Sequence, residues 1–477
     1  MRGLLASSIG VTCAAALALP LAPPAVAVPV PPAPTAEAAT AKARPTDPDT
    51  PDLPGSTQSL PLAPLTRDRA PTGTGTSTGT GTGSGATDRG LPRRTVGNFS
   101  LLGVVWDDPD VELHGRVQVR TRPAGTDAWS DWQDLQTHNA DHAPDPDSPE
   151  HNSARARGAT APLWVGDSDG VEVRVHPETP ETPDAGDAPH LPTGLRLELV
   201  DPGTTTSPAP PTPTGTRALH LNAEAADTAA TSASAANADL APLDATEIPA
   251  LDRARTESQL LSLRGTELTE NQRARPYIGP RPRIVTRRGW GADESLRKKK
   301  FTYTKKVKAA FVHHTANGNT YKCSQAPSLI RSMYRYHVKS MGWRDIGYNF
   351  LVDKCGNIYE GRAGGVTKPV LGAHTRGFNT NSMGIAVIGT FGTTKPSAAA
   401  VRAVAGLTAW KLGLHGGNPQ GKTYLTSGGG NLYGKGKNVR LHVISGHRDG
   451  FATECPGRQL YGKLGSARST AARLQGR

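Results

Sequence analysis

Proline and glycine are concentrated in particular stretches of this chain, and their distribution decides where a packed core can form. The 477 residues include 53 glycines and 41 prolines, whereas only 5% are aromatic. Residues 28–92 and 203–280 are rich in proline, threonine, alanine or glycine and include the Thr-Gly tract Thr72–Gly85. Segments of this kind bury too little apolar surface to offset the entropy of ordering. We therefore expect folded domains joined by disordered linkers.

The first 27 residues have the pattern of a secretory signal peptide. Met1-Arg2 precedes a largely apolar run from Leu4 to Leu21, and Ala25-Val26-Ala27 provides a small-residue cleavage site. No later stretch has the roughly 18 apolar residues that a transmembrane helix needs. The pattern predicts a secreted, extracellular protein without a transmembrane segment.

The cysteines outside this leader are odd in number. They are Cys323, Cys355 and Cys455. In an oxidising compartment this count predicts one disulfide and one remaining sulfur, which is either a free thiol or a metal ligand.

Positive charge is concentrated near residues 287–308. The formal net charge is +12, and the basic residues of this stretch are Arg287, Arg288, Arg297, Lys298, Lys299, Lys300, Lys305, Lys306 and Lys308. An exported protein seldom meets nucleic acid, so anionic wall polymers are the expected partners of this basic patch. The alternative is a solvated surface that only keeps the protein soluble.

Residues 93–202 are predicted to form a smaller all-β, sandwich-like accessory domain. Apolar and polar residues alternate in Val117–Arg120, Val171–Val175 and Leu195–Leu199, as expected of strands with one buried face. The domain also has four tryptophans, which either fill its core or line a carbohydrate-binding surface: Trp106, Trp129, Trp132 and Trp164.

Residues 281–466 are predicted to form an α/β domain with a central mixed β-sheet flanked by helices, followed by a tail at 467–477. Lys308–His314 and Ser382–Thr390 are typical of buried strands, and Arg440–Ser445 predicts a further strand. Pro327 suits the first turn of a helix, and Ser397–Leu414 is an alanine-rich helical segment. Strands and helices in this mixed order favour one sheet with helices packed on it.

Candidate metal ligands occur in two distant parts of this domain. His313 and His314 end a predicted strand, where side chains alternate, so only one of them can face a given site. His447 and Cys455 lie in one loop. Two histidines and one cysteine would hold zinc with one open position, which is the catalytic arrangement. Spacing alone leaves other histidines open as ligands, namely His374 and His442.

Six short motifs in this domain resemble, in order, those of the peptidoglycan recognition protein family. They are His313–Thr315, Gly342–Phe350, Tyr359–Arg362, His374–Asn379, His447–Asp449 and Cys455–Gly457. This family is similar to the phage lysozymes that are N-acetylmuramoyl-L-alanine amidases. The resemblance implies a central mixed sheet and a zinc cleft. The accessory β domain lies outside it.

The resemblance also implies roles for individual residues. The Zn2+ ligands would be His313, His447 and Cys455, and catalytic members of the family keep this cysteine. The catalytic tyrosine falls on Tyr348. Thr453 stands where the phage enzymes have a lysine, so the acid that protonates the departing amine is left open, the candidates being zinc-bound water with help from Tyr348 or Thr453.

The muramyl peptide of peptidoglycan would be held by residues at the family's substrate positions: Thr315, His337, Gly342, Trp343, Tyr348, His374 and Asn379. The pair Gly342-Trp343 resembles the pair that favours diaminopimelate over lysine in the stem peptide. For His337, a buried and hydrogen-bonded core histidine is an equal alternative. With Cys455 assigned to zinc, Cys323 and Cys355 would form the disulfide, whereas a bridge to Cys455 would abolish the zinc site.

The function implied is that of a secreted, zinc-dependent N-acetylmuramoyl-L-alanine amidase. It would hydrolyse the amide between the lactyl group of muramic acid and L-alanine, as a monomer associated with the cell wall. The alternative is a non-catalytic peptidoglycan-binding protein. A zinc peptidase is disfavoured, since the sequence has no His-Glu-x-x-His motif.

Overall fold

Alternating apolar residues in the first part of the chain build an antiparallel sheet. Its eight strands are β1 (Ser56–Pro61), β2 (Ala63–Pro64), β3 (Arg89–Trp106), β4 (Gly115–Pro123), β5 (Gln133–Leu135), β6 (Gly158–Ala159), β7 (Leu163–Pro177) and β8 (Arg196–Asp201). They pair in the order β1-β8-β3-β7-β4-β5, with β2 and β6 added along β3. Val171, Val173 and Val175 of β7 are buried at every second position. The β-rich character predicted for 93–202 is confirmed.

These elements are seen in a computed structural model of the chain, which describes residues 55–65, 88–178, 191–203 and 220–477. The predicted signal peptide 1–27 and the Thr-Gly tract lie outside the described residues. All of the described residues belong to one compact unit. Among them, no helix has the length and apolar character needed to cross a membrane.

Strand β1 lies inside the stretch 28–92 that was predicted to be a linker. It pairs along its whole length with β8, from Ser56 opposite Asp201 to Pro61 opposite Arg196. The neighbouring Leu62 is 3% exposed and packs in the β-domain core. The linker prediction is wrong for these residues, because the surrounding low-complexity sequence obscured a short strand.

The tryptophans of this domain differ in burial and in what they contact. Trp106 is buried in the core. Trp129 and Trp132 are half-buried, with guanidinium groups over their rings, the closest being Arg174 at 4.0 Å from the centroid of Trp132. Trp164 packs at the junction with the second domain.

The second domain contains the remaining strands and all the described α-helices. The strands are β9 (Glu247–Ile248), β10 (Ile284–Val285), β11 (Ala309–His314), β12 (Phe350–Val352), β13 (Ile358–Glu360), β14 (Ser382–Val387), β15 (Lys422–Thr426), β16 (Asn438–His442) and β17 (Ile444–Gly446). The helices are α1 (His220–Ala235), α2 (Arg253–Arg264), α3 (Glu270–Ala274), α4 (Ala326–Arg335), α5 (Ala398–Leu414), α6 (Arg458–Tyr461) and α7 (Leu464–Leu474).

A seven-stranded mixed sheet forms the centre of this domain, in the order β17-β11-β14-β12-β13-β10-β9. Strand β11 runs parallel to both of its neighbours, β14 and β17, and all six of its residues are buried. A parallel strand covered on both faces has the continuous apolar sequence seen here. The predicted α/β fold is confirmed. The single strand predicted at Arg440–Ser445 is wrong, because β16 pairs with β15 in a separate hairpin while β17 joins the main sheet.

The stretch 203–280 was also predicted to be a linker, but its residues from Asn237 onward pack in the domain. Strand β9 pairs with β10 at the sheet edge. Ile248 is fully buried and Leu260 is 2% exposed, both in the main core. Asn237 donates from Nδ2 to both carboxylate oxygens of Glu360, at 2.9 and 3.0 Å. The linker prediction is wrong for these residues, because the alanine- and threonine-rich composition outweighed a few buried side chains.

Helix α4 positions the residues that follow it against the first domain. Pro327 lies in its first turn, as predicted. The helix continues as a π-helical turn over Tyr336–Ser340 and stops before Gly342, whose φ of 75° favours glycine. Tyr336 and Trp343 pack in one apolar cluster with residues of β3 and β8, and this cluster joins the two domains.

The basic patch is smaller than the sequence suggested. Arg287 and Arg297 are buried and form ion pairs with Glu294, and Arg287 also pairs with Asp345. Buried charges need such partners. The prediction that these two arginines form part of an exposed patch is wrong. The other residues of the group are exposed: Arg288, Lys298, Lys299, Lys300, Lys305, Lys306 and Lys308.

A disulfide joins Cys323, just before α4, to Cys355 in the turn between β12 and β13. Their Cα atoms are 6.3 Å apart. Cys455 is a free, buried thiol. The predicted pairing is confirmed, and Cys455 remains available as a ligand.

The double substitution Cys323→Ser/Cys355→Ser should lower the free energy of unfolding by about 3 to 4 kcal/mol, because the bridge restricts the unfolded chain. Denaturant unfolding of the oxidised proteins measures this difference. A reducing agent should destabilise the unsubstituted chain but not the double variant. Equal stability of the two oxidised proteins would contradict the expectation.

Candidate metal centre and cleft

Two segments of the second domain place three potential ligands together. His313 comes from the carboxyl end of β11, whereas His447 and Cys455 come from the loop that follows β17. Cys455 Sγ lies 3.8 Å from His313 Nδ1. His314 does not belong to this cluster; its Nδ1 accepts a hydrogen bond from the amide of Phe391 at 3.3 Å. Strand alternation therefore selects one histidine of the pair.

A fourth residue of the cluster, His142, comes from the first domain and was missed by sequence reasoning. One potential ligand atom from each of His142, His313, His447 and Cys455 lies within 4.8 Å of the others. The ring centroid of His142 is 4.6 Å from that of His447 and 5.4 Å from that of His313. His142 belongs to no recognisable motif, so no feature of the sequence pointed to it.

Hydrogen bonding within the cluster fits a metal centre. His447 Nδ1 and His142 Nε2 are buried without a hydrogen-bond partner among the described residues. Their other ring nitrogens are engaged, since His447 Nε2 lies 3.0 Å from the Asp141 carbonyl oxygen and His142 Nδ1 lies 2.8 Å from Asp141 Oδ1. Buried polar atoms without partners are rare, and metal-binding histidines usually hold the second nitrogen in this way. The donor set suits a zinc-like cation.

Burial sets the protonation of the donors. It lowers the pKa of His313 well below its ordinary value and brings the pKa of His447 to about 3, so both imidazoles are neutral near pH 7. Burial also raises the pKa of the Cys455 thiol well above its usual range. A thiolate therefore forms here only when a cation compensates for its charge.

The two predicted catalytic residues come from different segments of the chain. Tyr348 is 5% exposed, and its ring centroid lies 5.5 Å from that of His313. Thr453 Oγ1 accepts a hydrogen bond from the amide of Cys455 at 3.2 Å. Thr453 thus contacts the backbone of the cysteine loop.

Two of the predicted substrate residues lie beside Tyr348 on the helix α4 side. The His337 ring is stacked on Trp343 with centroids 4.6 Å apart, and its Nδ1 accepts from the amide of Gly347 at 3.1 Å. His337 is therefore buried and hydrogen-bonded, as the alternative interpretation expected. Thr315 follows β11 in the chain, and its hydroxyl accepts a hydrogen bond from the amide of Gly389 at 2.9 Å.

Asn379 and His374 lie in one turn on the other side of the cluster. The Asn379 side-chain oxygen accepts from the amides of His374 and Thr375, at 2.7 and 3.0 Å. His374 contacts the hydroxyls of Thr375 and Ser382 through its two ring nitrogens. His374 is not in the ligand cluster, and neither is His442. Both were considered as alternative ligands.

Comparison with known proteins identifies both domains. Residues 303–458 match the family profile of N-acetylmuramoyl-L-alanine amidase, and residues 40–214 match the profile described as Rv3811 N-terminal galactose-binding domain-like.

Two curated relatives are insect proteins. The chain is 29% identical over 181 residues to peptidoglycan-recognition protein SC2 of Drosophila simulans, covering 38% of this chain and 84% of that one. It is 32% identical over 157 residues to peptidoglycan-recognition protein SC1a of Drosophila melanogaster, covering 32% and 70%. Among solved structures, human PGRP-IβC in complex with glycosamyl muramyl pentapeptide is 27% identical, with a TM-score of 0.30 and coverage of 38% and 94%.

Zinc or Co2+ should bind to the purified chain with one ion per molecule, and Cys455→Ser or His447→Gln should lower the affinity by about tenfold or more. Because the imidazoles are already neutral and the thiol is protonated, binding should release about one proton and strengthen about tenfold per pH unit near neutrality. Calorimetry in buffers of different ionisation enthalpy counts the proton. His442→Gln, outside the cluster, is the matched control. Unchanged binding by Cys455→Ser would contradict this assignment.

Proposed function

Because this chain belongs to the family of peptidoglycan recognition proteins and N-acetylmuramoyl-L-alanine amidases, we propose that it is a secreted, zinc-dependent N-acetylmuramoyl-L-alanine amidase. Its substrate is the amide between the lactyl group of muramic acid and L-alanine. The observation that carries this proposal is the buried cluster of His313, His447 and Cys455. A wall-binding protein has no chemical need for a free thiol between two imidazoles.

His313, His447 and Cys455 would hold the zinc ion, which when bound would supply an activated water and polarise the amide carbonyl. The surrounding residues set the protonation and the orientation of the histidine donors. His313 and His447 offer neutral nitrogens at neutral pH, because burial disfavours their protonation. Thr375 Oγ1 lies 3.4 Å from His313 Nε2 and fixes the orientation of that ring.

Tyr348 is proposed to stabilise the oxyanion. Burial raises the pKa of its hydroxyl well above the ordinary value, so the group stays protonated and donates a hydrogen bond. Thr453 holds the cysteine loop through the Cys455 amide and is the second candidate to assist the departing amine. The muramyl peptide would contact the walls formed by Thr315, His337, Gly342, Trp343, His374 and Asn379.

Secretion and association with the wall are part of this proposal. The predicted signal peptide supports export, and the Cys323–Cys355 disulfide fits an oxidising compartment. The exposed lysines near residues 298–308 suit the anionic polymers of a cell wall.

A non-catalytic binding protein is the second candidate, since the insect relatives carry the name of recognition proteins. Digestion of purified peptidoglycan separates the two. An amidase releases new N-terminal alanine without new reducing sugar, and a chelator stops it. The digest should be run with the unsubstituted chain and with Asp145→Ala. This substitution removes the hydrogen bond that Asn379, a proposed substrate residue, donates to Asp145. Wall left intact by both zinc-loaded proteins would assign binding alone.

Tyr348→Phe should slow turnover by about 100-fold or more, because one hydrogen bond to the developing oxyanion is lost. The zinc content, measured by elemental analysis, should not change. Tyr359→Phe is the matched control, since that hydroxyl bonds Asp353 at 2.9 Å instead of facing the cluster. Full activity of Tyr348→Phe would remove Tyr348 from the mechanism.

A further inference from the structure

The proposed catalytic cleft is closed to a polymer in this structure. His313, His447 and Cys455 are fully buried, and Trp343 and Tyr348 are 4% and 5% exposed. A hydrolase must bring the scissile amide of its substrate to these residues. The cover is a stretch of the first domain, residues 139–157, which is called the cleft segment below.

We propose that the cleft segment is an intramolecular occupant of the amidase cleft, with His142 as a fourth donor to the metal, so that the chain folds into a latent form. This inference rests on the proposed function for its consequence, although the contacts that carry it are independent of catalysis.

The first set of contacts is made at the metal centre itself. His142 Nε2 is buried and unpartnered among the described residues, and it belongs to the four-ligand cluster. Asp141 orients two of the histidines, since its carboxylate contacts His142 Nδ1 and its carbonyl oxygen contacts His447 Nε2. The Asp141 carbonyl also accepts from the amide of Arg376, at 2.9 Å. His142 thus supplies the fourth donor, and the adjacent Asp141 supplies the hydrogen bonds that orient His142 and His447.

The second set lies on the turn proposed to hold the substrate. Asp145 Oδ1 accepts from the amide of Gly377 and from Asn379 Nδ2, both at 2.8 Å. The carbonyl oxygen of Ala143 accepts from the same Asn379 Nδ2 at 3.1 Å. The side-chain donor that Asn379 would offer to a muramyl peptide is therefore already in use.

The third set lies at the far wall of the cleft. The Glu150 carboxylate receives two hydrogen bonds from Arg362, at 2.8 and 2.9 Å, and both side chains are at most 7% exposed. At Gly342, a Cβ would approach the carbonyl oxygen of Arg155 to 2.0 Å. The backbone of the cleft segment therefore packs directly on the glycine proposed to line the stem-peptide site.

These contacts have a common consequence for the metal. A catalytic zinc site keeps one position open, whereas four protein donors make a closed site. With His142 in place, the position needed by water and substrate is filled by the chain. The cleft segment must leave before the wall can be cut.

The proposal is tested with the full chain and the substitutions Asp145→Ala and His142→Ala. Asp147→Ala is the matched control, because Asp147 lies in the same segment but pairs only with the exposed Lys435. Glu150 is left intact, since its removal would leave the buried Arg362 guanidinium without the carboxylate that it pairs with.

The first readout is alkylation of Cys455 by iodoacetamide in metal-free protein, mapped by mass spectrometry. Asp145→Ala should accelerate it by about tenfold or more, since charge-assisted hydrogen bonds that hold the segment are lost. Asp147→Ala should react at the rate of the unsubstituted chain. Near-ultraviolet circular dichroism excludes global unfolding. Faster exchange of the Arg376 and Gly377 amide hydrogens should locate the opening.

The second readout is the visible spectrum of the Co2+-loaded chain. His142→Ala should shift the ligand-field bands, because a solvent ligand replaces an imidazole, and should keep the thiolate charge-transfer band of Cys455. The third readout is release of alanine termini from peptidoglycan, which should rise about tenfold or more in Asp145→Ala.

The outcomes separate the two proposals. Faster alkylation and a shifted cobalt spectrum, with no wall cleavage by any variant, would support the latent arrangement and overturn the amidase assignment. Equal alkylation of Cys455 in Asp145→Ala and the unsubstituted chain, or an unchanged cobalt spectrum in His142→Ala, would overturn the proposal. Loss of wall cleavage in Asp145→Ala, with zinc content retained, would also overturn it, because the segment would then assist catalysis.

Discussion

The arrangement of the second domain depends on one constraint, the burial of β11 between two parallel strands. Because β14 and β17 flank it, the carboxyl end of β11 opens onto loops from both sides. His313 lies at this end, and the loop after β17 returns with His447 and Cys455. A one-residue shift of the β11 register would turn His314 toward the cluster and His313 away from it. The position of the candidate metal centre thus follows from strand packing.

Much of this could be predicted from the sequence. The alternation in β7 and the continuous apolar runs of β11 and β14 gave the correct fold classes, since these patterns follow directly from which faces are buried. The three candidate ligands of the second domain lie together in one cluster. Residues such as His313 and Cys455 were accessible to sequence reasoning because they stand in recognisable local patterns.

The remainder could not be predicted, and the reasons are physical. Leu62 and Ile248 anchor short strands within low-complexity sequence, where composition averages hide single buried side chains. The sequence predicted that Arg287 and Arg297 lie on the surface, because their buried ion pairs with Glu294 are evident only in the folded chain. His142 joins residues far away in sequence through domain packing, which no periodicity encodes.

The two domains are joined by apolar and polar contacts of different character. Tyr336 and Trp343 bury apolar surface against the β domain, whereas Asp145 and Glu150 meet donors of the cleft walls. Apart from Ala143, the β-domain members of the apolar cluster lie outside the cleft segment. These contacts can therefore hold the domains together while the polar segment moves. The contacts that join the two domains can therefore persist when the contacts that close the cleft are broken.

The unpartnered nitrogen of His142 also has a thermodynamic consequence. An ion that is bound by four donors when the segment is docked, and by three when it is not, binds the docked form more tightly. By linkage, the same ion shifts the population toward that form. Zinc would then act in two opposed ways, as the cofactor of the proposed reaction and as an effector that stabilises the docked form. Metal supply in the surroundings would set the proportion of molecules ready to engage a wall.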